Sequence, residues 1–156
     1  MSELPLDGVR VLEIGGGVPA AFATRFLAGF GADVARSEGP EGALTGDEEI
    51  ALLAGKRRIE ASDAQLRELA LAADAIVEDG RPGALAARGL DPLALREQRP
   101  SLVITSLTPF GQTGPYAEYE ATNLVAHAAG GIHSITGLRT RTPLANGANQ
   151  ASVTKR

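Results

Sequence analysis

The chain has 156 residues, 44% of them apolar, with 15 Lys and Arg against 19 Asp and Glu, a net charge of −4. That length is enough for a domain with a real core, while the acidic balance gives general nucleic-acid binding no support and no apolar run nears the ~20 residues of a membrane helix. With no cysteine, disulfides, thiolate metal sites and cysteine nucleophiles are excluded, and the opening "MSELPLDG" shows no basic-then-apolar leader, so a cytoplasmic protein is the expectation.

Val9–Ile14, "VRVLEI", is a short β-branched run ending in Gly15, Gly16 and Gly17, the pattern of a buried strand leaving into a tight loop. Phe22, Phe26, Leu27 and Phe30 then recur at helical spacing from Ala20 to Gly29, and "ADVARSE" (Ala32–Glu38) reads as a second strand. Together these form a βαβ unit, which implies a parallel sheet. Beyond a looser Gly/Glu stretch at 39–46, Ser62 is placed to cap a helix over Asp63–Ala73 with Leu66, Leu69 and Ala70 on one face. A strand follows at Ala75–Glu78, then a helix at Asp91–Gln98 with Pro92 at its first position. Leu102–Ser106 suits a buried strand, the Gly/Pro turn "TPFGQTGP" breaks it, and a small-residue apolar helix covers Asn123 to about Ala129. After Ile135 the periodicity fades into a polar tail. The expected architecture is α/β, a parallel sheet flanked by helices, and an alternating chain that stops without a closing helix suggests truncation.

Three local patterns carry candidate chemistry. "GGGVPA" (Gly15–Ala20) fits G-x-G-x-x-A between strand and helix, with Glu38 as a ribose acid, which would suit a nicotinamide dinucleotide. A plain tight turn is the competing reading, favoured because Pro19 removes an N–H donor. "GKRR" (Gly55–Arg58) is either a solvated turn or a place where Lys56 or Arg57 meets an anionic phosphate; Arg36, at a strand C-terminus, is better placed than either. His127 and His133 have no acidic neighbour at helical spacing, so core or surface histidine is favoured over zinc ligation or a triad.

Four stretches taken in order, "PLDGVRVLEI…FGADVARSE", "GKRRIE", "ADAIVEDGRPGAL…GLDPLALREQRPSLV" and "SLTPFGQTGPYAEYEATNLVAHAAGGIHSITG", resemble the family III CoA-transferases. This CaiB/BaiF group includes formyl-CoA transferase and α-methylacyl-CoA racemase. The resemblance spans roughly residues 4–152, and its specific part is "FGQTGPY" with "RPG" some thirty residues before it. It implies a Rossmann-like domain over residues 1–137 whose loops hold coenzyme A as a substrate, with 138–156 beginning a remainder that completes a larger two-domain protein, and no permanently bound cofactor. The partners it implies are a CoA thioester and a small carboxylic acid, with no nucleic acid and no membrane, in a homodimer of full-length chains.

Carried over by position, the implied CoA contacts are Val18, Pro19, Arg36, Asp79, Gly80 and Arg88. Members of the family use an aspartyl nucleophile, because a carboxylate can form an activated acyl derivative reversibly. Its place here falls on Ser152, and no Asp or Glu follows Glu120. A hydroxyl with no base beside it cannot replace that carboxylate, so the expectation is a region that binds CoA and is inactive by itself. Asp79 also departs from the family, since a carboxylate facing CoA phosphates repels them; Arg88 is offset by one residue from the family's usual Arg and would compensate. Two alternatives stay open: an NAD(P)-dependent oxidoreductase fragment using Gly15–Ala20, and a non-enzymatic subunit of a CoA-transferase assembly.

Overall fold

A computed structural model describes residues 4–38, 44, 46–138 and 140–144. Five parallel strands, β1 (Arg10–Ile14), β2 (Asp33–Ser37), β3 (Lys56–Ile59), β4 (Ala75–Glu78) and β5 (Val103–Ser106), form one sheet in the order β3-β2-β1-β4-β5. The chain leaves β1 to build outward through β2 and β3, then crosses back to place β4 on the other side of β1. That reversal makes a crevice at the carboxyl ends of β1 and β4, where ligands sit in open α/β sheets. No helix among the described residues is long and apolar enough to cross a membrane.

The sheet buries both faces, each with its own core. Strand periodicity sends Leu12, Ile14, Ala35 and Ile76 to one side, where they meet Leu66 and Ala70 of α3 (Asp63–Ala72) and Leu95 of α5 (Pro92–Gln98). Val11, Val34 and Val77 point the other way onto α1 (Val18–Gly29). Two caps hold the first of these layers. Ser62 and Gln65 form a capping box at the start of α3, and the Asp91 carboxylate accepts from Ala94 N–H (3.0 Å) ahead of Pro92.

Several sequence expectations are corrected here. The buried face of α1 is Ala20, Ala21 and Thr24, not the phenylalanines; Phe26 and Phe30 are about half exposed. Small residues line the closest approach of the helix to the strands, and Leu27 packs at the margin of that core. The helix α2 (Gly46–Leu53) follows the loose 39–46 stretch over residues to which the sequence assigns no element, and the strand β3 takes up most of the basic "GKRR" turn. A short amphipathic turn and a four-residue strand of mostly charged residues carry little hydrophobic period, so neither stands out in sequence. Two single-turn helices, α4 (Ala84–Ala87) and α7 (Ile132–Ile135), were likewise not anticipated, whereas α6 (Asn123–Ala129) lies as read. β5 is an edge strand, and Val103 is 59% exposed where burial was expected.

Candidate functional site

The carboxyl ends of the strands gather a set of charged side chains beneath α1. In the parallel register Glu13 of β1 lies directly opposite Arg36 of β2, and both occupy the fourth position of a five-residue strand, so both turn toward α1. Glu13 and Arg36 are completely buried and hydrogen-bonded to each other. Lys56 Nζ, from the start of β3, donates to Glu13 Oε2 (2.8 Å) and to the Ala21 carbonyl (2.7 Å). Thr24 Oγ1 donates to the same carboxylate oxygen (2.5 Å). Burial pushes the Lys56 ammonium below the usual lysine range, with Glu13 opposing that shift and Arg36 adding to it.

Asp79, just past β4, reaches back to the glycine loop. Its carboxylate accepts from Gly17 N–H (3.4 Å) and Ala20 N–H (3.1 Å) at the first turn of α1. The glycines are required by that contact: a Cβ on Gly15 would stand 1.9 Å from Asp79 Oδ1 and one on Gly17 2.5 Å from Oδ2. Gly15 also has φ +154. Burial pushes the Asp79 carboxyl up, the Ala20 and Gly17 N–H groups pull it down, Glu13 raises it and Arg36 lowers it.

Next to it, Glu78 is buried and points to the other side of the sheet. It accepts from Gly80 N–H (2.8 Å) and from Gln112 Nε2 (3.4 Å), which ties the 109–116 turn to the end of β4. Burial is also the main cause that pushes the Glu78 carboxyl up, against the Ser106 hydroxyl and Gly80 N–H, with Asp79 adding to the rise. Beyond Gln112 the turn folds on its own rings: Phe110, Tyr116 and Tyr119 stand 5.4–6.5 Å apart, centroid to centroid. The turn thus overhangs the carboxyl edge of the sheet as architecture.

Besides a space of about 210 Å³ bounded by Asp79, Gly80, Pro109 and Tyr119, two cavities open along this edge. One, of about 220 Å³, sits at the β1/β4 crevice between Ile14, Gly15, Asp79, Gly80, Leu85 and Arg88. Its walls are mostly apolar. Arg88 donates from Nε to Asp63 Oδ1 (2.8 Å), while its buried Nη1 has no protein partner. The other, about 580 Å³, lies at the ends of β2 and β3 and is lined by Arg36, Ser37, Glu38 and Arg58 among others. Arg58 Nη2 bonds Glu38 Oε1 (2.6 Å) and its Nη1 bonds Glu49, all on exposed side chains.

Of the six residues carried over by position, the fold brings Asp79, Gly80 and Arg88 together at the first cavity. Val18 and Pro19 form the first turn of α1 beside the glycine loop and present no charged group. Arg36 borders the second cavity but is 1% exposed and held by Glu13. Ser152 lies outside the described residues. Lys56 is engaged with Glu13 and Arg57 with Asp33 (2.8 Å), so neither member of "GKRR" stands free for a phosphate. His127 is buried against His133, ring centroids 6.0 Å apart, and no group of three or more His, Asp or Glu able to hold a metal occurs among the described residues. Sequence reasoning passed over Glu13, Glu78 and the anchoring role of Lys56. The available signal was an acid and a base at matching positions of two strands otherwise apolar on that face.

Similarity to known proteins bears on the family and the fold. Residues 6–48 and 58–154 match CoA-transferase family III. The chain is 33% identical to a succinate–glutarate CoA-transferase of Agrobacterium fabrum, over 96% of this chain and 43% of that protein. It is 34% identical to a formyl-CoA:oxalate CoA-transferase of Streptomyces coelicolor, over 95% and 40% respectively. Among solved structures, a CAIB/BAIF family protein from Brucella suis superposes with a TM-score of 0.84 at 31% identity, covering 97% of this chain and 46% of that one. The chain thus spans about two fifths of the length of the curated relatives it matches. It belongs to CoA-transferase family III.

Proposed function

We propose that these residues form the CoA-binding N-terminal region of a protein that transfers CoA between carboxylic acids or racemises an acyl-CoA. The observation that carries this reading is the mostly apolar cavity at the β1/β4 crevice, bordered by Arg88, in a chain of this family. A narrow apolar channel suits the uncharged pantetheine arm, and a guanidinium with a free donor suits an anionic or carbonyl oxygen. Val18, Pro19 and Gly80 would offer apolar and backbone contact along the arm. Arg36 would act through the fold of the second cavity, and Asp79 through the loop it anchors.

Coenzyme A enters as a substrate alongside a small carboxylic acid, in a homodimer of full-length chains. The 156-residue chain is proposed to be inactive by itself, because Ser152 stands where the family's nucleophilic Asp falls. Calorimetric titration of the chain with CoA tests the binding part. The expected outcome is measurable CoA binding that weakens about tenfold or more in Arg88→Ala, the effect of losing one charge-assisted bond. Unchanged affinity in that variant would remove the first cavity from the reading. Acyl exchange by the chain that vanishes in Ser152→Ala would overturn the inactivity.

A further inference from the structure

We infer that Asp79 is a specificity-determining residue: its carboxylate closes the N-terminus of α1 to phosphate by standing where a nucleotide pyrophosphate would bind. In dinucleotide-binding sheets of this strand order, glycines after β1 leave room for a pyrophosphate that takes the free N–H groups of the following helix. Here the same room and the same donors are already taken. Asp79 accepts from Gly17 N–H and Ala20 N–H, and Pro19 contributes no donor to that turn.

The volume over Gly15 and Gly17 is filled by Asp79 Oδ1 and Oδ2, close enough that a methyl group at either position would have to displace the carboxylate. Charge acts in the same direction. A second anion at this turn would face the Asp79 carboxylate, with the Glu13 carboxylate near enough to perturb it. The cations on that side, Arg36 and Lys56, are bound to Glu13. The glycine loop that reads as a dinucleotide finger is therefore a socket for an internal acid. Phosphates of a ligand at this edge are displaced away from α1, toward the side of the first cavity where Arg88 keeps a nitrogen without a protein partner.

This inference does not depend on the CoA reading, and its test uses neither CoA nor catalysis. The full chain, labelled with ¹⁵N, is titrated with inorganic pyrophosphate and, separately, with NADH. In the unsubstituted protein the amide resonances of Gly17, Val18 and Ala20 are expected to stay in place at millimolar pyrophosphate. Asp79→Ala is expected to bind pyrophosphate at least about tenfold more tightly, with shifts centred on those three amides. Asp79→Asn removes the charge and keeps the shape, so it decides the matter if the alanine variant does not fold; a smaller gain at the same amides is expected. Binding at Gly17 and Ala20 in the unsubstituted protein as tight as in the variants would overturn the inference. So would a loss of stability in the variants without any gain in pyrophosphate binding, which would make Asp79 a structural tie alone.

Discussion

The two faces of the sheet are built from the same strands and do opposite things with them. Under α3 and α5 the strands bury leucines and isoleucines with no charge among the clustered side chains. Under α1 they bury Val11, Val34 and Val77 and then, one strand step toward the carboxyl ends, Glu13 and Arg36, with Lys56 joining from β3. The first face is hydrophobic up to the carboxyl edge, where the buried Glu78 carboxyl lies beside Ile14. The second shifts from apolar to ionic as it nears the carboxyl edge, where Glu13 holds both cations and Arg36 Nε stays buried without a partner. A buried ion network is weak evidence for stability, because desolvation offsets the attraction. Its position under the glycine loop gives it a geometric role: it fixes β1, β2, β3 and α1 relative to one another.

Breaking the charged face is expected to have the largest effect. Glu13→Ala leaves Arg36 and Lys56 buried without their shared partner, which costs about 3–5 kcal/mol. Urea denaturation should show either a large fall in midpoint or no folded protein; a loss under 1 kcal/mol would mean that water or rearrangement replaces the carboxylate. On the apolar face, Leu66→Ala removes a fully buried side chain from α3 and is expected to cost about 2–5 kcal/mol. This loss should not depend on salt or on pH between 5 and 8, because no charge is removed.

Where the two faces meet, Gly15→Ala sets a methyl group against Asp79 Oδ1 in a backbone conformation side chains rarely adopt. A loss of about 1–3 kcal/mol is expected. Combining it with Asp79→Ala should recover part of that loss, leaving the backbone strain; strictly additive losses would show that the carboxylate is not in the way.

The smallest effect sharpens the comparison by pH. Burial raises the Glu78 and Asp79 carboxyls in the folded state. Such groups favour the fold most when protonated, so their contribution is complete below the ordinary carboxylate range and is lost as pH rises through the folded values. Glu78→Gln should therefore gain stability relative to the unsubstituted protein as pH is raised from 4 to 8. Midpoint differences that stay constant over that range would show that Glu78 titrates normally.

Much of the fold was legible in the chain. The βαβ opening, the Ser62 cap, Pro92 at a helix start and the run of β4 all followed from local chemistry that survives packing. The family resemblance was equally legible, since "RPG" and "FGQTGPY" are local motifs. β3 was not, because Lys56–Ile59 becomes a strand by pairing with β2 and not through any pattern of its own. The core face of α1 was misjudged for a related reason. Phe22, Phe26 and Phe30 suggested a buried stripe, but close approach to the sheet selects Ala20, Ala21 and Thr24.

The sequence alone therefore determined the alternation of strands and helices, the family, and the residue types available at the carboxyl edge. Those depend on spacing and composition within short windows, where propensity, capping and turn chemistry act. Tertiary structure decided which charges are free. Glu13, Arg36, Lys56 and Asp79 are separated by up to sixty-six positions in the chain, and only parallel register and strand parity bring them under one helix. Because a charge's energy depends on what lies within a few ångströms of it and on how much water remains there, no reading along the chain could tell that Arg36 is engaged, that Arg88 keeps a donor, or that an acid fills the glycine loop.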